Sequence, residues 1–198
     1  MYKDGHRFTP AGGVFAVALI VCGLSMFPGC AAPTVAEPLA QTLGASDPET
    51  QLEFWHRLAD QPVTSNDDAF HGLLLFLDGE DAHAGYDARV ANLKQRGLLP
   101  GGFSEPANQA VSRGTLSVCI TKALGIKGGV MNRLAPDCSR YAVRELVYLN
   151  LYPPSSPNQT FSGSEFLGIV GRMEDWQRVN PDSPAAQMPA EPPATQPG

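Results

Sequence analysis

No stretch of this chain stays apolar for the ~20 residues that a membrane-crossing helix needs. The longest run, from Val14 to Met26, covers about 13 residues. Positive charge is scarce: 14 Lys and Arg stand against 20 Asp and Glu, a net of −6, and no basic cluster occurs. Neutralising phosphates takes clustered Lys and Arg, so this composition excludes a nucleic-acid partner. Only four cysteines are present, and none forms Cys-x-x-Cys. Gly-x-Ser-x-Gly, His-Glu-x-x-His and phosphate-cradling loops are also missing, so no catalytic residue, metal or cofactor is expected. Strand-like alternation of apolar and polar residues is absent as well.

What the chain does have begins at its N-terminus. Lys3, His6 and Arg7 precede the apolar run, the order of a secretory signal. That run leads into Phe27-Pro28-Gly29-Cys30 and then Ala31 and Ala32. The arrangement resembles the lipobox of bacterial lipoprotein precursors, with Leu24 and Met26 as apolar lead-in, although Phe27 and Pro28 depart from the family pattern. The resemblance implies cleavage before Cys30 and lipidation of its thiol, hence a membrane-anchored protein of the cell envelope facing the periplasm or exterior. A cut after Ala36, or an uncut anchor, would read the same residues differently. In an exported protein of this kind Cys22 leaves with the signal and Cys30 is acylated, so Cys119 and Cys138 remain as a possible disulfide. The alternative is two buried thiols, because Cys119 sits in an apolar stripe.

Four regions follow: a signal over 1–29, a tether over 30–47, a domain over 48–178 and a disordered tail over 179–198. The tether carries Pro33 and Pro38 and is followed by Pro48; the tail carries six prolines among Ala and Gln and buries too little apolar surface to order itself. Inside the domain the period is helical. Leu116, Cys119, Ile120, Ala123 and Leu124 form one stripe behind Ser112. Phe166, Ile169, Val170 and Met173 form a second behind the capping box Ser162…Glu165. Phe70, Leu73, Leu74 and Leu77 form a third after Thr64 to Asn66. Further helices are predicted over Glu49–Ala59, Tyr86–Arg96 and Ser139–Asn150. The fold class is therefore all-α, a small bundle.

The helices repeat. Val90 and Leu93 align with Val143 and Leu146, and Ser112, Leu116, Cys119 and Ile120 align with Ser162, Phe166, Ile169 and Val170. Each unit is a helix, a loop and a capped helix. Two or three such repeats are expected, the first unit fitting through Val63-Thr64 on Val111-Ser112. With Val111-Ser112-Arg113-Gly114-Thr115, Phe161-Ser162-Gly163-Ser164-Glu165 and the loop from Gly97 to Pro106, the repeat resembles the S-layer homology module. That family is a helical wall-anchoring unit that commonly comes in threes. The resemblance implies a wall glycan as ligand and Arg113 as the residue that meets its acidic group. No unit carries the whole family motif, and only the middle one keeps the basic residue.

Other polar groups read as structure. Asp78, Glu80, Asp81 and His83 fit no calcium loop and read as a solvated turn. Asn66, Asp67 and Asp68 read as capping residues at a helix start. His56 and His71 have no partner at ligand spacing, and Ser164 is a helix-start residue rather than a nucleophile. Trp55, Tyr86, Tyr148, Tyr152 and Trp176 could stack on sugars but read as core. The expected function is non-catalytic: attachment or scaffolding at the envelope, with a wall polysaccharide or an envelope protein as partner. The alternative is a small periplasmic enzyme or an accessory subunit of one.

Overall fold

Capping serines set the architecture. In this computed structural model, which describes residues 32–129 and 134–184, Ser65, Ser112 and Ser162 each accept a backbone N–H three residues on. The acceptor distances are 3.0 Å from Asp68, 3.0 Å from Thr115 and 3.2 Å from Glu165. Each serine therefore starts a helix by giving an otherwise unpaired N–H a partner. At Ser162 the box is complete, because its own N–H donates to Glu165 Oε2 at 3.0 Å.

Among the described residues six α-helices follow, at the positions the sequence predicts and with ends moved by a residue or two: α1 Pro48–Ala59, α2 Asn66–Asp78, α3 Tyr86–Gln95, α4 Arg113–Ala123, α5 Ser139–Tyr148 and α6 Gly163–Val179. All thirteen residues of the three predicted stripes are buried. No named strand is found among the described residues, only isolated bridges. No helix among them is long and apolar enough to cross a membrane; the apolar run before Cys30 lies outside the described residues.

The six helices make three units, α1–α2, α3–α4 and α5–α6, and the units close on themselves. Helix α2 packs on α3, α4 on α5, and α6 returns onto α1. The helix starts repeat the same circuit in hydrogen bonds. Asn66 and Asp67 N–H donate to Gln109 and Ala107 O of the second unit, at 2.8 and 3.1 Å. Arg113 and Gly114 N–H donate to Gln159 and Pro157 O of the third, at 2.7 and 2.8 Å. Gly163 N–H donates to Gln61 O of the first, at 2.9 Å. Free N–H groups at the starts of α2, α4 and α6 are thus satisfied by the loop of the following unit. At Gly163 the approach is so close that a Cβ would lie 1.5 Å from Leu58 O, so only glycine fits.

Four expectations need correction. Ser65, not Thr64, is the counterpart of Ser112, because Ser65 is the residue that caps α2; the first unit is therefore offset by one residue. The stretch read as tether is part of the domain from Pro33 onward: Pro33 O accepts Ala110 N–H at 2.8 Å and Val35 N–H donates to Asn108 O at 2.8 Å. Leu39 and Ala40 are buried in a 3-10 turn, Leu39–Gln41, packed on α1 and α2. The domain also runs past 178. Ser183 is buried, and Pro184 packs so tightly on Gly125 that a Cβ there would lie 2.5 Å from its Cδ. Among the aromatics, Tyr152 is buried and Trp55, Tyr86 and Trp176 pack half-buried on the core. Tyr148, read as core, is 80% exposed.

Candidate functional site

The polar centre of the fold lies between the first unit and the second. The first turn of α2 carries Asp67 and Asp68, where the positive end of the helix dipole favours carboxylates. They are not surface caps, however: both are buried. Asp68 accepts the Ser65 hydroxyl at 2.7 Å and the Ala40 N–H at 2.8 Å, tying the N-terminal segment to the helix start. Asp67 Oδ1 accepts Arg89 Nη1 at 2.6 Å.

Arg89 comes from α3 and is 1% exposed. Its Nε donates to Asp81 Oδ2, so the guanidinium bridges two buried carboxylates. The same Asp81 oxygen lies 2.7 Å from His71 Nδ1, one turn along α2 from Asp67. Asp81 Oδ1 accepts the His83 N–H at 3.0 Å and lies 3.0 Å from His83 Nδ1. An ionised carboxylate is acceptor-only, so both imidazoles present N–H to it. Burial alone would push the Asp81 carboxyl up; hydrogen bonds from His71 and Arg89, with the Arg89 charge, outweigh that and hold it well below the usual range. For Asp67 and Asp68 burial prevails and their carboxyls are raised.

The N-terminal segment and α1 seal this cluster. A Cβ on Gly44 would lie 2.8 Å from Arg89 Nη2 and 2.4 Å from Ala40 O, so glycine lets the chain pass directly over the guanidinium. Ser46 Oγ donates to Asp81 O at 3.1 Å, and Phe54 meets the His71 ring edge-on with centroids 4.6 Å apart. An Asp–His pair can orient an imidazole as a general base, but His71 Nε2 is enclosed and has no hydrogen-bond partner. The cluster joins the first unit to the second through Arg89 and its two carboxylates. Among the described residues no group of three or more His, Cys, Asp or Glu is set to hold a metal ion.

Arg113 occupies the corresponding seam between the second unit and the third. Its Nε donates to Thr160 O at 3.0 Å, Nη1 to Ser155 Oγ at 2.7 Å and Nη2 to Glu165 Oε1 at 2.7 Å. The guanidinium lies over the Phe161 ring, 4.8 Å from its centroid. Glu165 is lowered by the Ser162 N–H first and by Arg113 second. Each of the three Arg113 nitrogens therefore donates one hydrogen bond within the chain.

The remaining sequence candidates are scattered. Asp78 pairs with Arg96 at 2.7 Å, Glu80 is exposed, and only Asp81 and His83 of that turn enter the cluster. The solvated-turn reading thus fails for Asp81, because the chain at Gly44 to Ser46 covers it. His56 is exposed, whereas His71 is fully buried. Cys119 and Cys138 are both free rather than bridged. Cys119 is buried, which pushes its thiol up to about 12. Cys30 lies outside the described residues.

Arg89 is the residue that sequence reasoning missed. Its signal is positional: it lies four residues before Leu93, and the repeat alignment sets it over Ala142, a core position. A surface cleft of about 480 Å³ lies where the N-terminal segment meets the first unit, lined in part by Thr34, Val35, Arg57 and Pro62. A second, of about 350 Å³, lies between Trp55, Phe76 and Leu167. No family model matches the chain, and no curated protein or solved structure matches it.

Proposed function

We propose that this protein is a lipid-anchored component of the cell envelope whose ring of helices serves attachment or scaffolding, with a wall glycan or another envelope protein as partner. The observation that carries the reading is the closed circuit of three units, each serine-capped helix start paired with the next unit's loop. Wall-anchoring modules of the kind the sequence resembles commonly come in threes. The lipobox-like Gly29-Cys30 supplies the anchor. The buried charges add support: Arg89 and Arg113 fasten adjacent units to each other. Since each Arg113 nitrogen already donates within the chain, the partner is assigned to the outer surface rather than to that guanidinium.

Two measurements test it. The Cys30→Ala protein, secreted in soluble form, is sedimented with isolated wall material at low and high salt. The lipidated protein is cross-linked and captured from solubilised envelopes. Salt-sensitive pelleting, or repeated capture of one envelope protein, supports the reading. A protein that neither pellets nor captures a partner overturns it.

A further inference from the structure

We infer that the domain rides directly on the bilayer, with the face around the N-terminal cleft turned toward the lipid, and is not held away on a leash. This inference rests on the lipid-anchor reading above. Its own basis is where the folded chain begins. Pro33 is already fixed, its O accepting Ala110 N–H, and Val35 is fixed by Asn108 O, both at 2.8 Å. The segment is then locked by the buried Leu39 and Ala40 and by the Ala40 N–H on Asp68 Oδ1 at 2.8 Å. Three peptide units separate Cys30 from Pro33, at most about 11 Å at full extension. A lipidated Cys30 would therefore bring the docked segment to within a head-group's depth of the membrane surface.

The face that this places nearest the lipid includes Thr34, Val35, Ala36, Thr42, Arg57 and Pro62, which line one cleft of about 480 Å³. Arg57 is the only cation and Glu37 the only acid among the residues lining that cleft; Arg57 is exposed and has no ion-pair partner among the described residues. A guanidinium so placed suits a lipid phosphate, which it can meet with paired N–H groups. The occupant assigned to this face is the phospholipid surface of the membrane that holds the anchor.

The test uses the mature lipoprotein carrying Cys138→Ser and Pro62→Cys, labelled with a fluorophore at position 62. It is reconstituted in phosphatidylcholine vesicles containing a head-group quencher lipid. The parent is compared with a form carrying about twelve Gly and Ser residues between Ala32 and Pro33, which adds a flexible reach of about 20 Å. The insert precedes the docked residues, and an unchanged thermal melt checks that the fold is intact. Strong quenching in the parent, several-fold weaker with the insert, supports the inference. Equal quenching in the two, strong or weak, overturns it and leaves the anchor standing. A parent that does not partition into vesicles overturns the anchor reading, and this inference with it.

Discussion

Replacing Arg89 by Ala removes the one guanidinium that bridges Asp67 and Asp81. Both carboxylates are buried, so neither can recover the lost interaction from water. Breaking a buried pair by deleting one partner costs about 3–5 kcal/mol, most of it from the charge left behind. A domain of this kind has roughly 5–15 kcal/mol in total, so the variant becomes marginal. With a urea dependence of about 2 kcal/mol per molar, the unfolding midpoint falls by about 2 M. Circular dichroism and Trp fluorescence in urea would measure it, with Trp55 against the core as a reporter.

Two controls separate lost charge from lost packing. Arg89→Met keeps most of the volume, and adding Asp67→Asn turns one stranded carboxylate into an amide. The double variant is expected to be more stable than Arg89→Met alone, a positive coupling that simple cavity formation would not produce. Acid supplies the second control. Without Arg89 the buried carboxyls titrate higher, so the deficit of the variant shrinks as pH falls from about 7 toward 5. A midpoint shift under about 0.5 M, with no coupling and no pH dependence, would refute the argument.

In the wild type, raised Asp67 and Asp68 add stability as pH falls toward the ordinary carboxylate range, whereas lowered Asp81 loses its contribution only once pH falls below that range. Urea midpoints are therefore expected to peak at mildly acidic pH; a steady rise from acid to pH 8 would contradict this. Gly163→Ala drives a Cβ into Leu58 O and should cost about 2–3 kcal/mol. Gly171→Ala, in α6 with nothing within 4 Å of the new Cβ, should gain about 0.5–1 kcal/mol; calorimetry of the pair checks both signs. In the secreted Cys30→Ala protein, Ellman's reagent at pH 8 should find Cys138 in the folded state and Cys119 only after unfolding, while two silent thiols would indicate a bridge.

The helices were legible because their signals are local. A capping serine and an apolar stripe lie within about a dozen residues, and every stripe residue is buried where the period puts it. The closure of the ring was less so, because it depends on pairing between loops far apart in sequence, such as Gln61 with Gly163. The family-like arginine is replaced by glycine in the third unit for a reason no period reveals: α1 ends against that backbone, and a Cβ would collide with Leu58 O. The Pro-rich segment after Ala32 was misread for a similar reason. Proline content argues for an extended chain, and an extended chain is also what lies along a loop as Thr34 does against Gln109.

The charge cluster was harder still. Asp-Gly-Glu-Asp in an exposed turn and in a covered one are the same four letters, and what separates them is the desolvation of the last carboxylate. Here that is decided by Gly44 and Ser46, some 35 residues earlier in the chain. Arg89 has the residue type of a surface position and the register of a core one, and the two signals conflict. Register was the better guide. A guanidinium on a buried stripe is tolerated only if acceptors are waiting, so the register of Arg89 implies buried acids beside it. Its partners are Asp81, at i−8, and Asp67, one turn before His71, two acids whose types and positions alone read as a solvated turn and a helix cap. An ionisable residue out of place in an apolar stripe is therefore a contact prediction in its own right.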